Sequence, residues 1–479
     1  MKVLLINPPI RVTEKASIFP SGLGYIAAIL QKENHKVKVL DLNIHRLIEK
    51  EVINKLKKYL LEEKIEIVGI GCLITCYDYV KELVKKIREI KPNTKIVIGG
   101  GLGTSIPEMV LKNIKADIAV VGEGEKTMEE LMQFFENKKK ISSIKGIYYK
   151  KGGKIIQNPA RERIENLDEV PFPAWHLFPI QEYVKNDFNL DKLEKRNKKS
   201  MNIITGKGCP YHCIYCYDVF GHKKRIRSVK NIIKEIKLLK KLYGVDFILI
   251  TDDLFTINRE FVYDFCNSLL KEKLNISWGC SARVNLVDES LLKKMKQAGC
   301  KIISYGIESG SQKMLDIMRK GITVEQASKA INLTRKTGII VSVSFMMGFP
   351  EETKEDLEKT IKFCIYNNIY LTSIFLVTPY PGTVLYNQII QKGLIKDVEK
   401  YVSKLGNATE LTINLTKLSD KELFELRDYV IYKIQKAYFK KHRIEQIKWY
   451  FKKTKWLFEN IKRDGLNVIV KKGLMKIKK

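Results

Sequence analysis

Three cysteines stand within one short stretch, TGKGCPYHCIYCYDVFG (residues 205–221): Cys209, Cys213 and Cys216, spaced C-x3-C-x2-C. Thiolates suit soft metals and iron–sulfur clusters. A structural zinc site is closed and tetrahedral, so it wants a fourth ligand close by. None follows within a zinc-finger interval, and His212 and His222 are near but not at a paired spacing. Three thiols suggest a metal centre that leaves one coordination position open. A zinc loop or a redox-thiol loop is the alternative reading.

The elements that must position this loop repeat along the chain. From Ser200 to about 405, apolar runs alternate with helical patterns: NIITGKGC, FILITDD, ISWGCSAR, KIISYGIE, IIVSVSFMMG and LTSIFLVTP. Six such units predict an open, partial TIM-like (β/α)6 barrel with its site at the strand C-termini. Candidate residues fall at those ends: Asp252 and Asp253, Arg283, Glu308 and Ser309, then Gly348 and Pro350. Each has a plainer reading, as a helix cap, a structural arginine or a strand-to-helix turn.

Residues 1–150 alternate in the same way: KVLLIN, KVKVLDLN, IEIVGIGC, KIVIGGG and ADIAVVGEGE, separated by helical stretches. Strands apolar on both faces predict a flavodoxin-like doubly wound parallel sheet. Such sheets bind ligands beyond their carboxyl ends, where Gly99, Gly100 and Gly101, then Gly122 and Gly124, are found. The expected organisation is a sheet domain over 1–150, a Pro- and aromatic-rich connector over 151–198, the barrel over 199–405, and a separate basic helical region over 406–479.

Nine cysteines in 479 residues do not resemble a secreted disulfide scaffold and fit a reducing cytosol. MKVLLINPP is too promptly interrupted for a signal peptide, and no apolar run reaches spanning length. The net charge of +32 is spread along most helices. From Val430 onward sixteen Lys or Arg face three acidic residues, with Trp449, Tyr450, Phe451, Trp456 and Phe458 interleaved. That pattern suits a helix lying on an anionic membrane, or one packed on the barrel with a solvated Lys face. On the membrane reading a lipid substrate becomes attractive.

The thiol loop, with Tyr215 just before the third cysteine, resembles the cluster motif of the radical S-adenosylmethionine (SAM) superfamily. The resemblance implies a 4Fe–4S cluster on Cys209, Cys213 and Cys216, with one iron free for the methionine end of SAM. It further implies that Asp252 or Asp253 holds the cofactor's amino group, Arg283 its carboxylate, and Glu308 and Ser309 its ribose. PSGLGYIAAIL, VLDLN, IGGG and VVGEGE resemble the cobalamin-binding domain of one large branch. Gly99, Gly100, Gly122 and Glu123 are then expected at the cobalamin pocket. The D-x-H-x-x-G motif of many such domains is absent: Asn43 stands at the His position after Asp41, and His45 is a poor substitute.

The implied activity is methyl transfer to an unactivated carbon of a small-molecule or lipid substrate, with an electron donor such as flavodoxin or ferredoxin. A cobalamin-using radical cyclase or rearrangement enzyme is the runner-up. A related branch modifies transfer RNA, but it carries three cluster cysteines in its first domain, where only Cys72 and Cys76 occur. A nucleic acid partner is therefore not expected.

Overall fold

The computed structural model describes residues 1–10, 16, 18–185, 199–406, 408–447 and 451. The chain divides into two compact units: residues 1–306, 333–343 and 379–407, and residues 307–332, 344–378 and 408–479.

The first unit opens with the doubly wound sheet. β1 (Lys2–Asn7), β2 (Lys36–Asp41), β3 (Ile67–Cys72), β4 (Lys95–Gly99) and β5 (Ile118–Val120) run parallel in the order β2-β1-β3-β4-β5. Val3, Leu4, Leu5 and Ile6 are all buried, as a strand covered on both faces requires. The covering helix Tyr77–Ile90 turns Val80, Leu83, Val84 and Ile87 inward at helical spacing. The sheet does not stop near residue 150. β6 (Ile147–Lys151) and β7 (Lys154–Gln157) extend its edge as an antiparallel hairpin. Gly152 and Gly153, both at positive φ, make the tight turn.

The barrel strands follow: β8 (Ser200–Ile203), a short pair β9 (Gly206–Lys207) and β10 (Arg225–Ile226), then β11 (Phe247–Ile250), β12 (Ser277–Ala282), β13 (Cys300–Glu308), β14 (Ile340–Met347) and β15 (Phe375–Leu376). Within the first unit the barrel order is β14-β13-β12-β11-β8, with β8, β11, β12 and β13 parallel. Trp278 of β12 anchors the core, edge-on to Phe255 and Phe265 at 5.6 and 5.4 Å. Its indole N–H donates to the Ala298 carbonyl at 2.9 Å, so burial leaves no polar atom unpaired.

In the second unit, the end of β14 pairs parallel with β15 through Met346 and Met347. The helix Asp420–Lys441 packs against the helix Lys354–Tyr366 in this unit, which corrects the expectation of a separate C-terminal region. Leu423, Val430 and Ile434 form the narrow buried stripe responsible, and a capping box of Ser419 and Glu422 starts the helix. The aromatic and basic run from Lys448 lies outside the described residues except for exposed Phe451. Among the described residues no helix is long and apolar enough to cross a membrane.

Candidate active site

β9 and β10 pair antiparallel, Arg225 opposite Lys207 and Ile226 opposite Gly206. Their connection, residues 208–224, is the thiol loop. Gly208 (φ +89) and Gly221 (φ +79) close its base, and Cys209 N–H donates to the Gly221 carbonyl at 3.0 Å. A Cβ at Gly208 would collide with the Lys223 carbonyl oxygen and stand 2.8 Å from that of Gly221. Gly208→Ala is expected to open this base, with about 1–2 kcal/mol of strain from the left-handed backbone alone. Iron per chain after anaerobic reconstitution should fall with it.

Cys216 N–H donates to the Cys213 carbonyl at 3.1 Å, so the last two cysteines share one turn. Buried Ile214 pins that turn, its carbonyl accepting from Leu385 N–H at 2.9 Å. Cys209 and Cys213 are partly buried and Cys216 is exposed. Burial pushes the Cys209 thiol above its ordinary pKa, opposed by the Tyr211 backbone N–H and the Arg283 charge. The rings of His212 and His222 lie 3.9 Å apart, tilted by 46°, and His222 Nδ1 lies 3.3 Å from the Cys209 carbonyl oxygen.

Among the described residues no three His, Cys, Asp or Glu are gathered to hold a single metal ion. Thiolates on one zinc lie about 3.8 Å apart. A 4Fe–4S cluster takes one thiolate per iron and spreads them wider. Three thiols on one partly open loop fit a cluster better than a closed ion site.

Arg283 is buried against this loop. Its guanidinium lies 3.5 Å from the Tyr211 ring centroid, with Nη1 3.9 Å from Cys213 Sγ. The aspartates behave otherwise than expected. Asp252 is buried, and its carboxylate accepts from Thr205 N–H (2.7 Å), the Thr205 hydroxyl (2.8 Å) and the Lys224 ammonium (3.1 Å). Asp253 accepts from Gly208 N–H at 2.9 Å. Buried Asp252 takes the donors at hand in place of water, and these belong to the stems of the thiol loop, whereas Asp253 is exposed. Neither aspartate caps a helix; the next one, Arg259–Lys271, is capped by Asn258.

In the sheet domain the glycine turns lie at the strand carboxyl ends. Gly99 ends β4, and Gly100 (φ +71) begins a short helix with its Cα against Cys72, whose carbonyl oxygen a Cβ would meet at 2.7 Å. Gly122 (φ +79) has open space where a Cβ would stand, and its N–H donates to Thr104 Oγ1 at 3.1 Å. Leu73, just past β3, is half-exposed. Open space at Gly122 and a half-exposed apolar Leu73 on the same edge of the sheet fit a bulky ligand. Glu123 does not line it. Its two oxygens each lie 2.9 Å from Arg225, and Ile164 N–H donates to it at 3.0 Å.

Asp41 caps the helix Leu42–His45 and accepts from Asn7 and Tyr183, while Asn43 accepts from Ile10 N–H. His45 stands 3.6 Å from Glu182.

In the second unit, Glu308 is buried at φ +73 with Lys320 at 3.0 Å. A non-glycine residue in this conformation stores strain of about 1–3 kcal/mol. Ser309 is held in a turn, accepting from Ser311 N–H at 3.1 Å with Thr360 Oγ1 at 3.3 Å, so a ribose contact finds no support in its geometry. Glu352 accepts from Gly348 N–H at 2.6 Å, and burial pushes its carboxyl from 4.5 up to about 7. Across that window the unfolded chain ionises while the folded one keeps the proton. Stability should therefore fall as pH rises from 4.5 to 7. Glu352→Gln is expected to flatten that part of a denaturant-midpoint profile against pH.

Sequence reasoning passes over Lys207, Tyr217, Lys224 and Arg225. Tyr217 leaves the thiol loop to meet Ser105 Oγ at 2.6 Å and the Gly101 carbonyl at 3.2 Å. The basic run KKRIR at 223–227 was the available signal, but strands of two residues have no readable period.

Residues 203–364 match the Radical SAM superfamily, and residues 9–132 match the B12 binding domain. The chain is 34% identical over 402 residues to an uncharacterized methyltransferase of Pyrococcus horikoshii, covering 82% of this chain and 84% of that protein. It is 30% identical over 413 residues to the anaerobic magnesium-protoporphyrin IX monomethyl ester cyclase of Rubrivivax gelatinosus, covering 84% of this chain and 72% of that one. The structure of the radical SAM methyltransferase TsrM from Kitasatospora setae, with cobalamin and a 4Fe–4S cluster bound, matches in fold with a TM-score of 0.67 at 20% identity. That match covers 82% of this chain and 75% of that one. Because the likeness runs through sheet domain and barrel together, the protein belongs to the radical SAM superfamily, in the branch that carries a B12-binding domain.

Proposed function

We propose that this protein is a cobalamin-dependent radical SAM methyltransferase acting on an unactivated carbon of a small-molecule substrate. The observation that carries the reading is the hairpin-borne loop of three thiols with the Arg283 guanidinium laid beside Cys213. Cys209, Cys213 and Cys216 would hold the 4Fe–4S cluster, and the turns at Gly99–Gly101 and Gly122 would receive cobalamin. Together with SAM, these groups supply radical chemistry and a transferable methyl group when bound.

The chain's own part is binding, orientation and exclusion of water. Arg283, held by the Tyr211 ring, presents a fixed cation that suits the SAM carboxylate by a charge-assisted fork. Gly208, Gly221 and Asp253 hold the loop's base closed. Tyr217 joins the loop to the first glycine turn, a contact that supports reading the two as parts of one site. The electron would come from an external donor of the flavodoxin or ferredoxin class.

The second reading is cyclisation or rearrangement without net methyl transfer, favoured by the likeness to the cyclase. Product analysis separates the two after anaerobic reconstitution with cobalamin, reductant and SAM. Methyl transfer yields S-adenosylhomocysteine beside 5′-deoxyadenosine, whereas cyclisation yields no S-adenosylhomocysteine. Protein that carries iron yet never cleaves SAM would exclude both.

A further inference from the structure

The base of the thiol loop is held by the sheet domain. Arg225 and Lys207 lie opposite one another on β10 and β9, and their side chains are only 2% and 7% exposed. Arg225 forks onto both oxygens of Glu123 and also donates to the carbonyls of Ile164 (2.7 Å) and Phe220 (3.2 Å). Lys207 Nζ lies 2.7 Å from Glu125 and 3.2 Å from Glu123. Glu123 follows Gly122 in the turn after β5, and Glu125 opens the helix Glu125–Phe135. Two carboxylates of one domain thus neutralise the two buried cations of the other domain's hairpin. Asp252 and Asp253 hold Lys224 and Gly208 from the barrel, so the loop leaves and returns between four carboxylates.

We propose that Glu123 and Glu125 are positioning residues for the thiol loop. The acidic turn of the sheet domain fixes the hairpin from which Cys209, Cys213 and Cys216 hang, and couples the Gly122 cradle to the cluster end. The inference rests on the cluster reading of that loop. Its physical reason is the cost of an unpaired buried charge. Without the Glu123 carboxylate, Arg225 is stranded away from water, and the hairpin must move for it to be solvated. The loop contains no regular strand or helix between β9 and β10 to resist that movement.

Amide hydrogen exchange on the full-length chain without iron tests the brace directly. Glu123→Gln is expected to speed exchange in residues 208–224 by about tenfold or more, leaving the helix Asp420–Lys441 unchanged. The double variant E123Q/R225Q strands no cation and should recover part of the protection. After anaerobic reconstitution, Glu123→Gln should hold less iron, and the EPR spectrum of its reduced cluster should broaden. Glu123→Asp keeps the charge but withdraws the fork, so it should fall between the two. Unchanged exchange in the loop together with an unchanged EPR spectrum would overturn the proposal. Wild-type protein that takes up no iron would instead overturn the cluster reading, while the exchange comparison still decides whether the brace exists.

Discussion

Replacing Cys209, Cys213 or Cys216 by alanine is expected to reduce SAM cleavage to background, with the same outcome for each. A cluster held by one thiolate per iron has no spare ligand, and the other thiols cannot deputise. Cys76, Cys266, Cys280, Cys300 and Cys364 are buried, and Cys72 belongs to the sheet domain at the end of β3. The measurement is 5′-deoxyadenosine formed per chain under anaerobic reduction, read beside iron content. Cys266→Ala is the control, because it trims the core side of the barrel helix Arg259–Lys271 and leaves the loop intact. Equal loss in all three loop variants with no loss in the control supports the cluster. Retained cleavage in any one of the three would sink it, as would a stoichiometric zinc in the wild type.

The next largest effect is expected at Asp252. Removing this carboxylate takes away the acceptor of Thr205 N–H and hydroxyl and strands Lys224, whose side chain is 8% exposed. Breaking a buried pair from one side costs about 3–5 kcal/mol, so Asp252→Ala should lower the first thermal transition markedly and lose iron with it. Asp252→Asn can still accept from Thr205 and should cost less. If Asp252→Ala kept wild-type stability and instead weakened SAM binding, the residue would return to the cofactor role that its motif implies.

The contrast between Asp252 and Arg283 shows where sequence reading reaches its limit. Both stand at strand ends in segments that resemble cofactor contacts. Arg283 does lie against the thiol loop, stacked on Tyr211. Asp252 lies beneath it with its donors already chosen. Glu123 repeats the lesson: the pattern VVGEGE marks a ligand edge, yet the carboxylate turns to Arg225, 102 residues later. A charged side chain near a site pairs with whichever opposite charge the fold buries beside it, and that partner has no fixed place in the sequence.

Local features were legible throughout. Runs apolar on both faces, the 3.6-residue stripe of Tyr77–Ile90 and glycines at strand ends each depend on neighbours a few residues away. They were enough to read the doubly wound sheet, the partial barrel and the thiol loop. The hairpin β6–β7 is hard to read although Gly152–Gly153 signals it, because its strands IYYKK and KIIQ are too short to show a period. The C-terminal helix reads as independent because just four of its 22 residues, Leu423, Val430, Ile434 and Phe439, are buried.

What the amino-acid order determined by itself is the donor set: three thiols, their spacing, and the glycines that let the loop close. Those are covalent and local facts. What only the tertiary structure decided is how that loop is held, by Glu123, Glu125, Asp252 and Asp253 from two domains. Burial removes water from Lys207, Lys224 and Arg225, and only the folded chain can supply the carboxylates that replace it.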